Sequence, residues 1–159
     1  MRIAMFVSVL VLLASTAGAQ PAQSAPTTDP TKATYMSAAD VAAALAKPGT
    51  VRVFNLAPYN VNIEHRLQGP QAASIHDLDA ELFYVLDGGA TMVTGGTLVN
   101  PTRPNPTNSS GTAIEGGVAH VLAKGDFILV PEGVPHWFSE IKGSLTQIAL
   151  HLPRKATEK

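Results

Sequence analysis

Gly125-Asp126-Phe127-Ile128-Leu129-Val130-Pro131-Glu132-Gly133-Val134-Pro135-His136-Trp137 is the stretch on which the reading of the fold turns. Phe127 to Val130 is a short apolar run of strand length. Gly125-Asp126 precedes it and Pro131-Glu132-Gly133 follows it, so turn chemistry bounds it on both sides. A second β-rich run, Trp137–Ile141, begins directly after Pro135-His136. Outward from this stretch the pattern repeats: Val51–Leu56, Tyr59–Leu67, Glu81–Leu86, Thr91–Thr94, Thr97–Asn100, Val118–Leu122 and Leu145–Leu152 are short β-rich runs bounded by Gly, Pro, Asn or Asp. Many short strands at this spacing predict an all-β antiparallel sandwich or barrel.

Composition agrees. Thirteen Gly and twelve Pro among 159 residues favour strands and turns over long helices. The length is that of one domain. Eleven basic residues against twelve acidic ones, a net charge of −1, give no electrostatic footprint for nucleic acid and no cationic face for an anionic membrane. Cysteine is absent, which excludes disulfides, thiol catalysis, iron–sulfur clusters and all-thiolate zinc sites.

Residues 1–19 read as a secretory signal peptide: a basic start at Met1-Arg2, an apolar core from Ile3 to Ala14, and small residues at Ala17-Gly18-Ala19. A periplasmic or secreted location is therefore expected, with no membrane contact after cleavage; the alternative is an uncleaved anchor. Residues 20–34, rich in Pro, Thr, Ser, Ala and Gln, read as a disordered leader. Within 35–50, Ser37 caps an alanine-rich run to Lys47, and Pro48-Gly49 ends it, so one short helix is expected there. The barrel is expected over 51–153. Asn100 to Gly111 carries three prolines and reads as a loop. It is either a solvated connection or a lid with Arg103 as an anion contact.

Two segments carry the chemistry. One is the opening stretch; the other is Gly69-Pro70-Gln71-Ala72-Ala73-Ser74-Ile75-His76-Asp77-Leu78-Asp79-Ala80-Glu81-Leu82-Phe83-Tyr84-Val85-Leu86-Asp87-Gly88. Together they make the chain resemble the cupin superfamily over about Val51 to Leu152. The later segment fits the family's second motif: Gly, five residues, Pro-x-Gly, two residues, His. The earlier fits its first motif from Glu81, with six residues between Glu81 and Gly88. The resemblance implies a small antiparallel jelly-roll barrel, often a homodimer, that usually holds a divalent metal near one mouth. The family's first motif places His-x-His four residues before its Glu. Counted back from Glu81, the second His is His76, and the first falls on Ser74. This chain departs from the pattern at that one ligand position.

The resemblance thus implies His76, Glu81 and His136 as metal ligands, with Glu81 and His136 also handling protons. Two imidazoles and a carboxylate suit iron, manganese, zinc or nickel and leave coordination positions open. Strand alternation puts Glu81 on a face with Phe83 and Val85, and His136 with Phe138. A carboxylate among apolar side chains needs a partner, and a metal is one. The alternative is a metal-free barrel in which the three hydrogen-bond one another.

Other residues compete for the missing place. In Tyr59–Leu67, His65 shares a face with Val61, Ile63 and Leu67, so it replaces the imidazole if that face turns inward. It is otherwise a satisfied core residue. His151, on the last strand with Gln147, lines the pocket as a proton carrier or lies on the surface; His120 has no assignment. Asp77 and Asp79 are turn residues or acceptors behind a liganding His. Leu82, Tyr84 and Leu86 give their strand a second apolar face, with Trp137 across from them in pattern; another sheet or a second subunit would cover it.

Two functions follow. One is an exported single-domain cupin acting on a small organic substrate through a bound divalent metal, by oxygenase, isomerase or lyase chemistry. The other is a non-catalytic cupin that binds or senses a small molecule with a degenerate metal site. Barrel architecture alone does not choose between them. Intact-mass measurement of the exported protein is expected to place Gln20 at the amino terminus; recovery of the full-length chain from the membrane would refute the signal-peptide reading.

Overall fold

The computed structural model describes residues 28–46 and 48–153. The expected signal peptide and the leader up to residue 27 lie outside the described residues. From there the chain is held: Thr28 N–H donates to Asn55 O at 3.3 Å, and Asn55 N–H donates to Thr28 Oγ1 at 3.2 Å. Helix α1 is Ala38–Leu45. Ser37 Oγ accepts from Asp40 N–H, and the Asp40 carboxylate accepts from Ser37 N–H, a capping box that satisfies two otherwise orphan donors.

Eleven strands follow: β1 Gly49–Leu56, β2 Tyr59–Leu67, β3 Ala73–His76, β4 Asp79–Thr94, β5 Thr97–Val99, β6 Thr102–Asn105, β7 Asn108–Gly111, β8 Ala113–Glu115, β9 Val118–Ala123, β10 Phe127–Val130 and β11 His136–Pro153. All pairings are antiparallel, and the main sheet curls on itself around β4 and β11. Those two long strands each absorb two runs that the sequence punctuates separately. β4 bends at Gly88 and β11 at Lys142–Ser144, where the register between them shifts. Each therefore pairs with one layer of the barrel before its bend and with the other after it.

The Pro-rich stretch is a correction. It is not a loop: β6 and β7 form a hairpin there, and β7 pairs with β3, the strand that carries His76. Pro104 is tolerated because β6 ends the sheet. β3 and β8 also go unmarked in the sequence, being short and without a β-branched run.

β2 is turned opposite to the simpler expectation. Its apolar residues Val61 and Ile63 look outward, lining an apolar groove of about 260 Å³ with Met36 and Val41 beside α1 and with Leu86 and Ile148. Its polar residues look inward. Glu64, buried, accepts from Arg66 and from the fully buried Gln147 of β11. The Arg66 guanidinium lies 5.0 Å over the Phe138 ring, a cation–π contact inside the barrel. Phe83, Val85, Met92, Phe138, Ile141 and Leu145 fill the rest of the core. Trp137 pairs with Val93 rather than facing Leu82, and its indole N–H donates to Gln71 O at 2.9 Å.

Gly88 takes φ 77°, and a Cβ added there would overlap the backbone of Ser144. The glycine that closes the first motif is thus a point where β4 passes close against the bend of β11. Gly88→Ala is expected to lower unfolding free energy by about 2 kcal/mol or more, because it adds both backbone strain and a clash. Denaturant titration checks this; an unchanged midpoint would contradict it.

Candidate metal centre

β3 ends at His76 and β4 begins at Asp79, so the tight connection brings Glu81 beside His76. β11 contributes twice. His136 stands at its start, paired with Ser74 and Thr94, and His151 stands near its end, directly opposite Glu81. One carboxylate therefore receives imidazoles from three directions. His76 Nε2 and His136 Nε2 each lie 3.1 Å from Glu81 Oε2, and His151 Nε2 lies 3.4 Å from Glu81 Oε1. His76, Glu81 and His151 each offer a ligand atom within 4.8 Å of one another.

The far sides of the rings are also engaged. His76 Nδ1 meets Asn108 Oδ1 at 2.5 Å, His136 Nδ1 meets Val134 O at 3.4 Å, and His151 Nδ1 lies 3.8 Å from Asp79 Oδ2. A ring whose Nδ1 faces an acceptor keeps its proton there and turns a lone pair outward from Nε2, which is how liganding histidines are oriented. The His76 ring sits edge-on to His151 at 4.9 Å and tilted to His136 at 5.2 Å. Phe83 closes the floor, 5.9 Å from His136 and edge-on to Phe138. Glu81 and His136 side chains are 6% and 7% exposed, against 19% for His76 and 17% for His151. The centre thus opens on the side of His76 and His151.

The charges follow from this packing. Burial would raise the Glu81 carboxyl, but hydrogen bonds from His136 and His76 overturn that and hold it at about 2. Burial would lower the His76 imidazole, but its bonds to Glu81 and Asn108 raise it above the usual value.

Other candidates take different places. His65 is on the outer face of β2 with its Nδ1 3.1 Å from Leu45 O of α1, so it does not replace the missing imidazole. The inward-face assumption fails because β2 buries its polar side against Gln147. His120 meets Thr94 Oγ1 at 3.0 Å. Arg103 is no free anion contact: it pairs with Asp77 and donates to Pro106 O and Ser109 Oγ. His151 is the residue the motif leaves unassigned. Its signal in the sequence is alternation, since it shares a face with the buried Gln147. Asn108 lacked any signal, lying in a stretch read as loop.

No family model matches the sequence, and no curated protein sequence matches it. Solved structures do. BH2720 from Bacillus halodurans superposes with TM-score 0.55 at 13% identity, over 82% of this chain and 89% of that one. The chain has the cupin fold. Cobalt(II) HppE in complex with Tris superposes with TM-score 0.50 at 21% identity, over 68% of this chain and 56% of HppE. The DMSP lyase DddQ from Ruegeria pomeroyi DSS-3 has TM-score 0.43 at 17% identity, and this chain spans 41% of its length.

For the metal-free protein the signs are opposite for the two groups. Glu81 is lowered from 4.5 to about 2, so its contribution to stability is present above 4.5 and lost as pH falls towards 2. His76 is raised above 6.5, so its contribution is complete below 6.5 and lost as pH rises through the raised value. Chelator-treated protein is expected to have its highest Tm between these limits, and Glu81→Gln to flatten both flanks. A wild-type Tm that climbs steadily above pH 6.5 would contradict the pairing.

Proposed function

We propose that this protein is an exported, single-domain, metal-binding cupin that acts on a small organic molecule. The observation that carries the reading is the convergence of three imidazole Nε2 atoms on one buried carboxylate. Three neutral imidazoles and a carboxylate are a donor set for a divalent first-row ion such as iron, manganese, zinc or nickel. His76, Glu81 and His136 would hold it, with His151 in place of the imidazole that Ser74 lacks. A bound ion supplies Lewis-acid or dioxygen chemistry at this position.

The chain's own groups do the rest. The buried rings of Phe83 and Phe138 keep water from the inner wall. Glu81 Oε2 and His136 Nε2, 3.1 Å apart, share a proton in the metal-free protein, and that proton is released when an ion takes its place. The open side at His76 and His151 is the approach for a substrate. The cobalt-bearing state of HppE, a structure with the same fold, adds support for a metal in a barrel of this kind. The outer face, where Phe127 stacks on Tyr84 and Leu129 stands exposed, supports a second copy of the chain as partner. The apolar segment before Gln20 supports export.

Metal analysis of purified protein tests the reading. Stoichiometric divalent metal is expected in the wild type, none in His136→Ala, reduced retention against a chelator in His151→Ala, and wild-type retention in His65→Ala. A wild-type protein that stays metal-free after reconstitution would overturn it in favour of a non-catalytic binding cupin.

A further inference from the structure

The hairpin β6–β7 carries none of the candidate ligands, yet its Asn108 reaches the centre. We infer that Asn108 is a positioning residue for the metal centre: its amide, oriented by Asn105, holds the proton on His76 Nδ1 and so commits His76 Nε2 to the ion. This rests on the metal-binding reading above.

The argument is a chain of donors and acceptors with one fixed start. The backbone N–H of Thr107 can only donate, and it donates to Asn105 Oδ1 at 3.0 Å, in a side-chain turn closing the hairpin. That identifies the Asn105 atom as oxygen. Asn108 approaches the same oxygen at 2.9 Å and must present Nδ2 to it, because two carbonyl oxygens would repel. The other end of the Asn108 amide is then Oδ1, and it is this atom that lies 2.5 Å from His76 Nδ1. An amide oxygen only accepts, so Nδ1 carries the proton. Nε2, the nitrogen facing Glu81, is then the one free to bind an ion.

The hairpin is held where this requires. β7 pairs with β3 so that Asn108 lies opposite His76, and Asp77 N–H donates to Thr107 O at 2.9 Å. Arg103 bridges the hairpin to the next residue, pairing with Asp77 while donating to Pro106 O and Ser109 Oγ. Rotation of the Asn108 amide would break its bond to Asn105 and set an N–H against the Nδ1 proton. The other two rings lack an equivalent: His136 has a backbone carbonyl at 3.4 Å and His151 a carboxylate at 3.8 Å. Asn108 thus makes the shortest of the three supporting contacts, on a strand that contributes nothing else to the site.

The test combines zinc affinity with ring-nitrogen NMR on the isotopically labelled full chain. Zinc-loaded wild type is expected to show the His76 proton on Nδ1 and zinc on Nε2. Asn108→Ala is expected to bind zinc roughly 10–100-fold more weakly by chelator competition, the range seen when such supporting contacts are lost. Asn108→Asp combined with Asn105→Ala, which keeps an acceptor at that place and removes the oxygen its second carboxylate oxygen would meet, is expected to restore affinity. Asn105→Ala, which frees the Asn108 amide to turn, is expected to weaken binding as well, and it decides the matter if Asn108→Ala does not fold. Zinc on Nδ1, equal affinity in the alanine variants, or no rescue by aspartate would overturn the inference. If wild type binds no zinc, the metal reading fails separately. The metal-free spectrum then decides: a His76 Nδ1 proton protected in wild type and fast-exchanging in the alanine variant supports Asn108 as the positioning residue, and a bare Nδ1 refutes it.

Discussion

A glutamate that is 5% exposed inside a barrel has to have its charge neutralised where it stands, and the arrangement of this protein follows from how that is done for Glu81. Phe83 and Val85 share its face, and among the described residues no lysine or arginine pairs with its oxygens. Three imidazoles do the work instead. They hold the carboxyl at about 2, so the group stays ionised across ordinary pH. A buried anion ringed by imidazole Nε2–H donors becomes a cation site once those protons leave, because each Nε2 then offers a lone pair beside the carboxylate. The same contacts that make the metal-free barrel tolerable thus prepare it to take up an ion.

That demand explains the length of β11. His136 and His151 stand at opposite ends of one strand, and only the bend at Lys142–Ser144 lets both ends return to Glu81. β4 bends in step at Gly88, where a side chain would strike the β11 backbone. Two bent strands side by side are the frame of the barrel, and the centre lies where one of them meets itself through its partner.

The interior is more polar than its neighbours in sequence indicate. Glu64, Arg66 and Gln147 form a buried network on the β2–β11 wall, and among the described residues Gln147 Oε1 has no hydrogen-bond partner. The apolar side of β2 instead faces out beneath α1, where a groove remains beside Met36 and Val41. Here amphipathicity marks the two faces of the strand correctly but assigns them to the wrong sides. Pairing with Gln147 on β11, a contact across 83 residues, decides which side is inside.

The sequence by itself determined the strands with strong local marks, the antiparallel class, the helix started by Ser37, and the spacing that singles out His76, Glu81 and His136. Those are short-range signals: alternation, turn residues and a fixed count between ligands. Ser74 was legible as a departure for the same reason. Only the tertiary structure decided what stands near the centre in place of the missing imidazole. His151 lies 70 residues from Glu81 in the chain and meets it through strand register, which no local pattern records. Asn108 was hidden because three prolines made its stretch read as loop, while β3 supplied the ladder bonds that make it a strand. His65 was open between inside and outside because a two-residue period fixes which side chains share a face, and only packing against the rest of the barrel fixes where that face points.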